Sequence, residues 1–268
     1  MTSQSVRLDG YTLSAHWSGA ADDDAPLVVL LHGLLEPAMV WAPVIAKLPS
    51  YCRYVVLDMP WNGQQGGHWG MRRRPESWMD AAMKAFELQP DAFVAHSFGA
   101  STLLSYLASD AAAGLRHGAT ILVSPFYKRR HAEFDWDLFR RYVAHFPLFV
   151  EESVSQRSGG RTIDRDLMSR MVETGCETFG VYNWMEFWQL FSRMPSLDLQ
   201  RLTQPVLLIS GADDFSAPPA DLRALAAALP QCSTEILPQT GHFLLDSRHA
   251  TLASYIGRFL GAHFHALP

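Results

Sequence analysis

A short segment near the middle of the chain places a serine where a nucleophile could act. Ala92–Ala95 is an apolar run typical of a strand, Ser101–Ala108 favours a helix, and Ser97 lies in the turn between them. Ala95 and Gly99, two residues before and two after this serine, are small, as a crowded strand-to-helix turn requires. A serine in such a turn can also simply cap the helix. The small neighbours favour a nucleophile.

A nucleophilic serine needs a base to take its proton and an acid to orient that base. The apolar run Val206–Ile209 is followed by Asp213 and Asp214, and we favour Asp214 as the acid with Asp213 as the alternative. His242 follows the last predicted strand, Glu235–Leu237, and completes the chain order Ser, Asp, His. Other histidines are expected to be ordinary surface or loop groups, among them His249, His263 and His265.

The elements that would position these residues alternate between strands and helices. The chain opens with a predicted hairpin that turns at Asp9-Gly10. Short, continuously apolar runs then predict parallel strands buried on both faces: Leu27–Leu31, Tyr54–Leu57, Ala92–Ala95, Thr120–Val123 and Val206–Ile209. Helices are expected between them, one opened by a capping box at Ser77–Asp80 and another over Leu222–Leu229. This alternation predicts an α/β fold with a mostly parallel sheet flanked by helices.

Residues 126–195 interrupt the alternation. This stretch is rich in aromatic residues at helical spacing and contains no convincing buried strand. We predict an inserted helical lid over residues 126–195, above a core made of residues 1–125 and 196–268. Trp184, Phe187, Trp188 and Phe191 form one helical face, which must turn either into the lid's own core or towards Ser97.

These motifs together resemble the α/β-hydrolase superfamily, in particular its capped esterase, thioesterase and lipase-like members. The resemblance covers nearly the whole chain, with Ala95 in place of the usual first glycine around the nucleophile. His32-Gly33 is similar to the family's oxyanion loop, which implies that the backbone amides of Leu34 and Phe98 face the oxyanion. His32 itself is expected to order the loop.

The turn that follows the predicted strand Tyr54–Leu57 matches the family pattern only in part, because Trp61 replaces a glycine. The resemblance puts this loop near the rim of the pocket. Trp61 and His68, together with Trp184 and Trp188 of the lid, are therefore candidate substrate-binding residues. The alternative is that the aromatic side chains only pack under the lid.

The sequence thus predicts a serine hydrolase that cleaves a carboxylic ester or thioester through an acyl-enzyme, with a bulky apolar substrate. The alternative is a non-hydrolytic biosynthetic enzyme on the same three residues: a lyase or eliminase, an acyltransferase or a cyclising thioesterase. A catalytically silent ligand receptor is a third possibility. Haloalkane dehalogenase and epoxide hydrolase activities are disfavoured, since those relatives carry Asp where this chain has Ser97.

Composition limits the partners. A net charge of −5 disfavours a nucleic-acid partner, which needs a basic surplus. Three widely spaced cysteines argue against a disulfide framework or a zinc site, and no cofactor or metal is expected. No signal peptide and no membrane span are recognised, so we expect a cytoplasmic protein without a membrane partner. The expected partner is a small acyl compound, or a thioester bound to a carrier protein or coenzyme.

Overall fold

Within the residues that the structure describes, one sheet of eight strands forms the centre of the molecule. The computed structural model describes residues 2–115 and 118–264, so His265 lies outside the described residues. The strands are β1 Thr2–Leu8, β2 Tyr11–Gly19, β3 Leu27–Leu31, β4 Arg53–Asp58, β5 Ala92–His96, β6 Ala119–Val123, β7 Val206–Gly211 and β8 Cys232–Leu237. Their order is β1-β2-β4-β3-β5-β6-β7-β8, and all pairs from β4 to β8 are parallel.

The first two strands form the predicted antiparallel hairpin, and β2 also runs antiparallel to β4. The turn residues of this hairpin, Asp9 and Gly10, have φ of 50° and 88°, the left-handed conformation that a two-residue hairpin turn needs.

Eight α-helices cover the sheet and its edges. They are α1 Ala42–Ile45, α2 Pro75–Ala85, α3 Ser97–Leu107, α4 Trp136–Arg157, α5 Arg165–Arg193, α6 Pro219–Ala226, α7 Leu244–Ser247 and α8 His249–Phe264, counted over the described ranges. Helix α2 begins at Pro75, two residues before the predicted capping box, and its start has no side-chain cap. Proline at the first helical position fixes φ in the helical range, which explains the earlier start.

The apolar strands are buried on both faces, as their continuous hydrophobic runs predict. Along β3, Val29 and Leu31 join the core on one side of the sheet, whereas Val28 and Leu30 join the core on the other. Successive side chains of a strand point to opposite faces, so both cores draw on the same strands. The α/β fold class predicted from the sequence is confirmed.

Two long helices, α4 and α5, lie between β6 and β7. Asp135 and Asp164 cap their N-termini by accepting backbone N–H groups. The helices pack closely, since a Cβ added at Gly175 would lie 2.6 Å from a methyl carbon of Val150. Gly180, with φ of 62° and ψ of 175°, breaks α5 into two segments. Both helices fall inside the range 126–195, and the division into core and cap stays a prediction.

Candidate active site

Ser97 directly follows β5 as the first residue of α3, in a strained backbone conformation. Its φ of 55° is in the left-handed region, which costs free energy for a residue with a side chain. The turn is crowded, because a Cβ at Gly99 would lie only 2.3 Å from the backbone oxygen of His32. Glycine is therefore required at position 99. Ala95, at the matching position before the serine, is fully buried in β5.

His242 lies in the loop between β8 and α7 and reaches Ser97 directly. Its Nε2 is 2.8 Å from Ser97 Oγ, which places the hydroxyl in position to donate its proton to the imidazole. The imidazole is fully buried between the rings of Phe126 and Phe149, with ring centroids 5.5 and 5.1 Å from its own. The imidazole therefore lies in an enclosed, largely aromatic environment.

Asp214, in the loop after β7, lies on the far side of this histidine. Its Oδ2 is 2.8 Å from His242 Nδ1, and its Oδ1 accepts hydrogen bonds from Ser216 N and Oγ and from Ala217 N. Burial alone would raise the pKa of this carboxyl. The attraction and hydrogen bond of His242, with the other donors, outweigh burial and lower its pKa. The rival residue, Asp213, points to solvent.

The three residues come together because each follows the carboxyl end of a parallel strand: β5, β7 and β8. In an open α/β sheet these ends share one edge, where functional groups from distant segments meet. The resulting chain of hydrogen bonds runs from Ser97 Oγ through the imidazole to a buried carboxylate. This arrangement can deprotonate the serine hydroxyl and stabilise the positive charge that then develops on the imidazole.

The loop after β3 also lies close to the serine. A Cβ at Gly33 would lie 3.1 Å from Ser97 Cβ, so the loop and the nucleophile pack directly against each other. Leu34 and Phe98, the two residues predicted to supply oxyanion donors, both line the cavity beside Ser97. Phe98 is the second residue of α3, in a first turn whose N–H groups have no partner within the helix.

His32 orders this loop, as expected. Its Nε2 accepts from Met59 N at 2.9 Å, so its Nδ1 carries the proton and donates to Gly33 O at 2.7 Å. Burial dominates its environment and lowers its pKa, which keeps the ring neutral. The ring therefore joins the loops after β3 and β4.

A cavity of about 870 Å³ opens above Ser97. Its walls are mostly apolar and come from α4, α5 and the loops after the strands, including Phe126, Leu138, Phe146, Phe149, Trp184 and Phe187. The volume is within the range of sites that enclose a sizeable small molecule.

The predicted substrate-binding residues divide into two groups. Trp184 lines the cavity. Trp61 does not: it is fully buried beneath the site, with its Nε1 3.3 Å from His32 O and its ring against Phe98. His68 is exposed and contacts the ring of Tyr182. Trp188 is half-buried, does not line the cavity and packs against the rings of Phe134 and Phe139 instead.

Two polar residues near the site were not predicted from the sequence. Glu36, in the loop after β3, and His96, directly before Ser97, are both buried and lie 2.9 Å apart. The feature that could have indicated Glu36 is its position as a lone carboxylate within the apolar segment Leu34–Pro37. His96 had no local signal beyond its position next to the serine.

Over the described residues, no group of three or more His, Cys, Asp or Glu side chains could hold a metal ion. Within the same part of the chain, none of the helices combines the length and apolar character needed to span a bilayer.

Comparison with known proteins agrees with this fold. A model of the alpha/beta hydrolase family matches residues 28–254, so the chain belongs to that family. Curated protein sequences give no significant match.

Solved structures of similar fold have diverse activities. A haloalkane dehalogenase from Bradyrhizobium elkani aligns with 99% of this chain and 99% of its own, at 17% identity and a TM-score of 0.71. A bacterial membrane phospholipase A aligns with 99% and 87%, at 17% identity and 0.72. An enol-lactonase from Burkholderia xenovorans aligns with 96% and 99%, at 20% identity and 0.65. At these identities the likeness concerns the fold alone.

Proposed function

We propose that this protein is a serine hydrolase that cleaves a carboxylic ester or thioester through an acyl-enzyme. One observation carries the proposal: Ser97, His242 and Asp214 form an unbroken hydrogen-bonded chain at the floor of a largely apolar cavity. Family membership supports a hydrolytic reaction but does not specify the substrate.

In the proposed mechanism, His242 Nε2 takes the hydroxyl proton as Ser97 Oγ attacks the carbonyl carbon. The backbone amides of Leu34 and Phe98 stabilise the oxyanion of the tetrahedral intermediate, and each such donor contributes about 3–4 kcal/mol. Asp214 stabilises the protonated imidazole. The imidazole then protonates the leaving alcohol or thiol, and the carbonyl reforms as an acyl-enzyme.

Water completes the cycle by the same route. His242 takes a proton from water, hydroxide adds to the acyl carbon, and collapse of the second intermediate returns the proton to Ser97. The free acid leaves and the enzyme is restored. Because the protein's own groups account for every proton in both halves, the proposed reaction requires only the ester and water.

The cavity supports a bulky apolar substrate. Burial of apolar surface contributes about 25 cal/mol per Å², so a group that fills these aromatic walls binds far better than an acetyl group. Helices α4 and α5 would act as the cap over such a substrate. A thioester on a coenzyme or carrier protein fits the same chemistry, since only the leaving atom differs.

The test is labelling by a fluorophosphonate, followed by product analysis. Wild-type protein should be labelled on Ser97, and Ser97→Ala should lose both labelling and turnover while it keeps its melting temperature. Ser105→Ala is the matched control, because this serine lies on the same helix outside the cavity lining. Persistent labelling of the Ser97→Ala protein would refute the proposal.

Mass spectrometry of the products from a panel of esters and thioesters then separates the reaction types. Free acid supports hydrolysis, whereas a dehydrated, cyclised or transferred product shows a non-hydrolytic enzyme on the same three residues.

A further inference from the structure

A second buried polar cluster includes His96, the residue before Ser97, and the proposed mechanism does not use it. His96 Nδ1 is 2.9 Å from Glu36 Oε2, and His96 Nε2 is 3.2 Å from the backbone oxygen of His242. Gly33 N donates to the same oxygen of Glu36 at 2.7 Å. Both side chains are almost completely enclosed, with exposed fractions of 2% for Glu36 and 0% for His96.

The hydrogen-bond partners limit where the protons of this cluster can be. A carbonyl oxygen only accepts, so His96 Nε2 must carry a hydrogen to bond His242 O. The remaining proton lies between His96 Nδ1 and Glu36 Oε2. Gly33 N–H donates to that carboxyl oxygen, and the Arg157 guanidinium is 3.7 Å from the other one. Both neighbours favour a carboxylate, which leaves the proton on the imidazole.

The electrostatic surroundings agree with this assignment. Burial alone would raise the pKa of Glu36, but His96, Arg157 and the Gly33 amide together lower it to about 2. Burial would lower the pKa of His96, but the charge and hydrogen bond of Glu36 raise it overall.

The cluster connects three loops that must keep a fixed geometry for acyl transfer. Gly33 immediately precedes Leu34 in the loop after β3, His96 immediately precedes Ser97, and the carbonyl of His242 belongs to the base itself. One ion pair therefore holds the oxyanion loop, the nucleophile turn and the base loop against each other. A shift of about 1 Å in such an arrangement can cost about a hundredfold in rate.

We propose that Glu36 and His96 are positioning residues for the reaction, held as a carboxylate and an imidazolium that lock these three loops together. This inference rests on the proposed function. The pair is neutral as a whole, so the imidazolium adds no net charge beside His242, whose ring centroid is 5.2 Å away.

Other charged and titratable groups face the pair from neighbouring elements. Arg157 of α4 reaches Glu36, and its guanidinium is also 3.9 Å from Asp246 of α7. Asp214, the neutral ring of His32 and the ring of His242 also lie near the pair. Arg157 thus connects the inserted helices to the same cluster.

The first test measures the protonation state of His96 by ¹⁵N NMR of the histidine rings between pH 5 and 9. In the wild type, His96 should be an imidazolium at pH 7, because Glu36 raises its pKa. In Glu36→Gln the amide cannot balance the charge, so the neutral form of His96 should appear at a lower pH than in the wild type. A neutral His96 in the wild type at pH 7 would overturn the proposal, whether or not any variant folds.

The second test separates positioning from folding and from substrate binding. Glu36→Gln should lower kcat by about 10- to 100-fold with KM for the same ester changed less than about twofold, and Glu36→Asp should recover part of the loss. The control is Glu186→Gln, which removes a half-buried carboxylate of α5 away from the triad and should keep wild-type kcat.

A folded Glu36→Gln protein with wild-type kcat would overturn the positioning role. The same holds if Glu186→Gln loses as much activity, since the effect would then be general destabilisation. A wild type that fluorophosphonate does not label refutes the proposed function instead, and the NMR result remains interpretable on its own.

Discussion

Alanine substitutions at Trp184 and Trp188 separate substrate binding from packing. The two tryptophans lie one helical turn apart on α5, yet only Trp184 lines the cavity above Ser97. Trp188 contacts aromatic rings of its own helical pair and the segment before it, with centroid distances of 5.1 Å to Phe139 and 5.8 Å to Phe134. The same substitution should therefore have different effects at the two positions.

The expected sizes follow from buried area. A tryptophan buries about 150–250 Å², and one ring face against a substrate accounts for about 100 Å² of this. At about 25 cal/mol per Å², Trp184→Ala should weaken binding of a bulky ester by up to about 2.5 kcal/mol, or about 60-fold in KM. Trp188→Ala should instead cost about 3 kcal/mol of unfolding free energy, which corresponds to roughly 10 °C in melting temperature.

The assay compares a bulky acyl ester with the acetate ester of the same alcohol, together with thermal melting of each variant. Trp184→Ala should raise KM for the bulky ester and hardly change KM for the acetate. Trp188→Ala should lower the melting temperature and leave the ratio of the two KM values unchanged. The opposite ranking, with the KM effect at Trp188 and the stability effect at Trp184, would refute the assignment of the two side chains.

Three further outcomes follow from the site. Asp214→Asn should lower kcat by about 10⁴-fold, because an amide favours the wrong imidazole tautomer. The kcat of Asp213→Asn, a change at an exposed residue, should stay near the wild-type value, and the reverse order would move the acid to Asp213. Gly99→Ala should slow fluorophosphonate labelling of the folded protein, since its Cβ would meet the backbone oxygen of His32 at 2.3 Å, and an unchanged labelling rate would contradict the crowded turn. Glu36→Gln should lower the unfolding free energy at pH 7 by about 3 kcal/mol, because the pKa of Glu36 is about 2 in the folded state and about 4.3 in an unfolded chain. A carboxyl with a lowered folded pKa stabilises above its unfolded pKa, so this difference in urea unfolding should disappear as pH falls from about 4 to about 2, and a difference that persists below pH 2 would show another cause.

Local sequence determined the elements and the residue types at the site. Short, continuous apolar runs are typical of strands buried on both faces, so strands such as Ala92–His96 were predictable from composition and length. The small residues around Ser97 indicated the turn, because steric crowding acts between neighbours in the chain. Chain order then made Asp214 and His242 the natural partners, since parallel strands bring their carboxyl ends to one edge.

The tertiary structure decided which of two candidate residues lies at the site. Asp213 and Asp214 are adjacent and chemically identical, and only the path of the loop after β7 places one against His242 and the other in solvent. Helical spacing puts Trp184 and Trp188 on one face, but that face is divided between the cavity and the packed helices.

The contact between Glu36 and His96 is the clearest example of an interaction that local sequence does not predict. Sixty residues separate the two side chains, and neither has a pattern around it that indicates a charged partner. Their contact forms only when β3 and β5 lie side by side and bring the two loops together. Periodicity and turn chemistry describe interactions within a few residues of the chain, whereas burial and charge pairing depend on which segments meet in space, and that is settled only by the packing of the whole sheet.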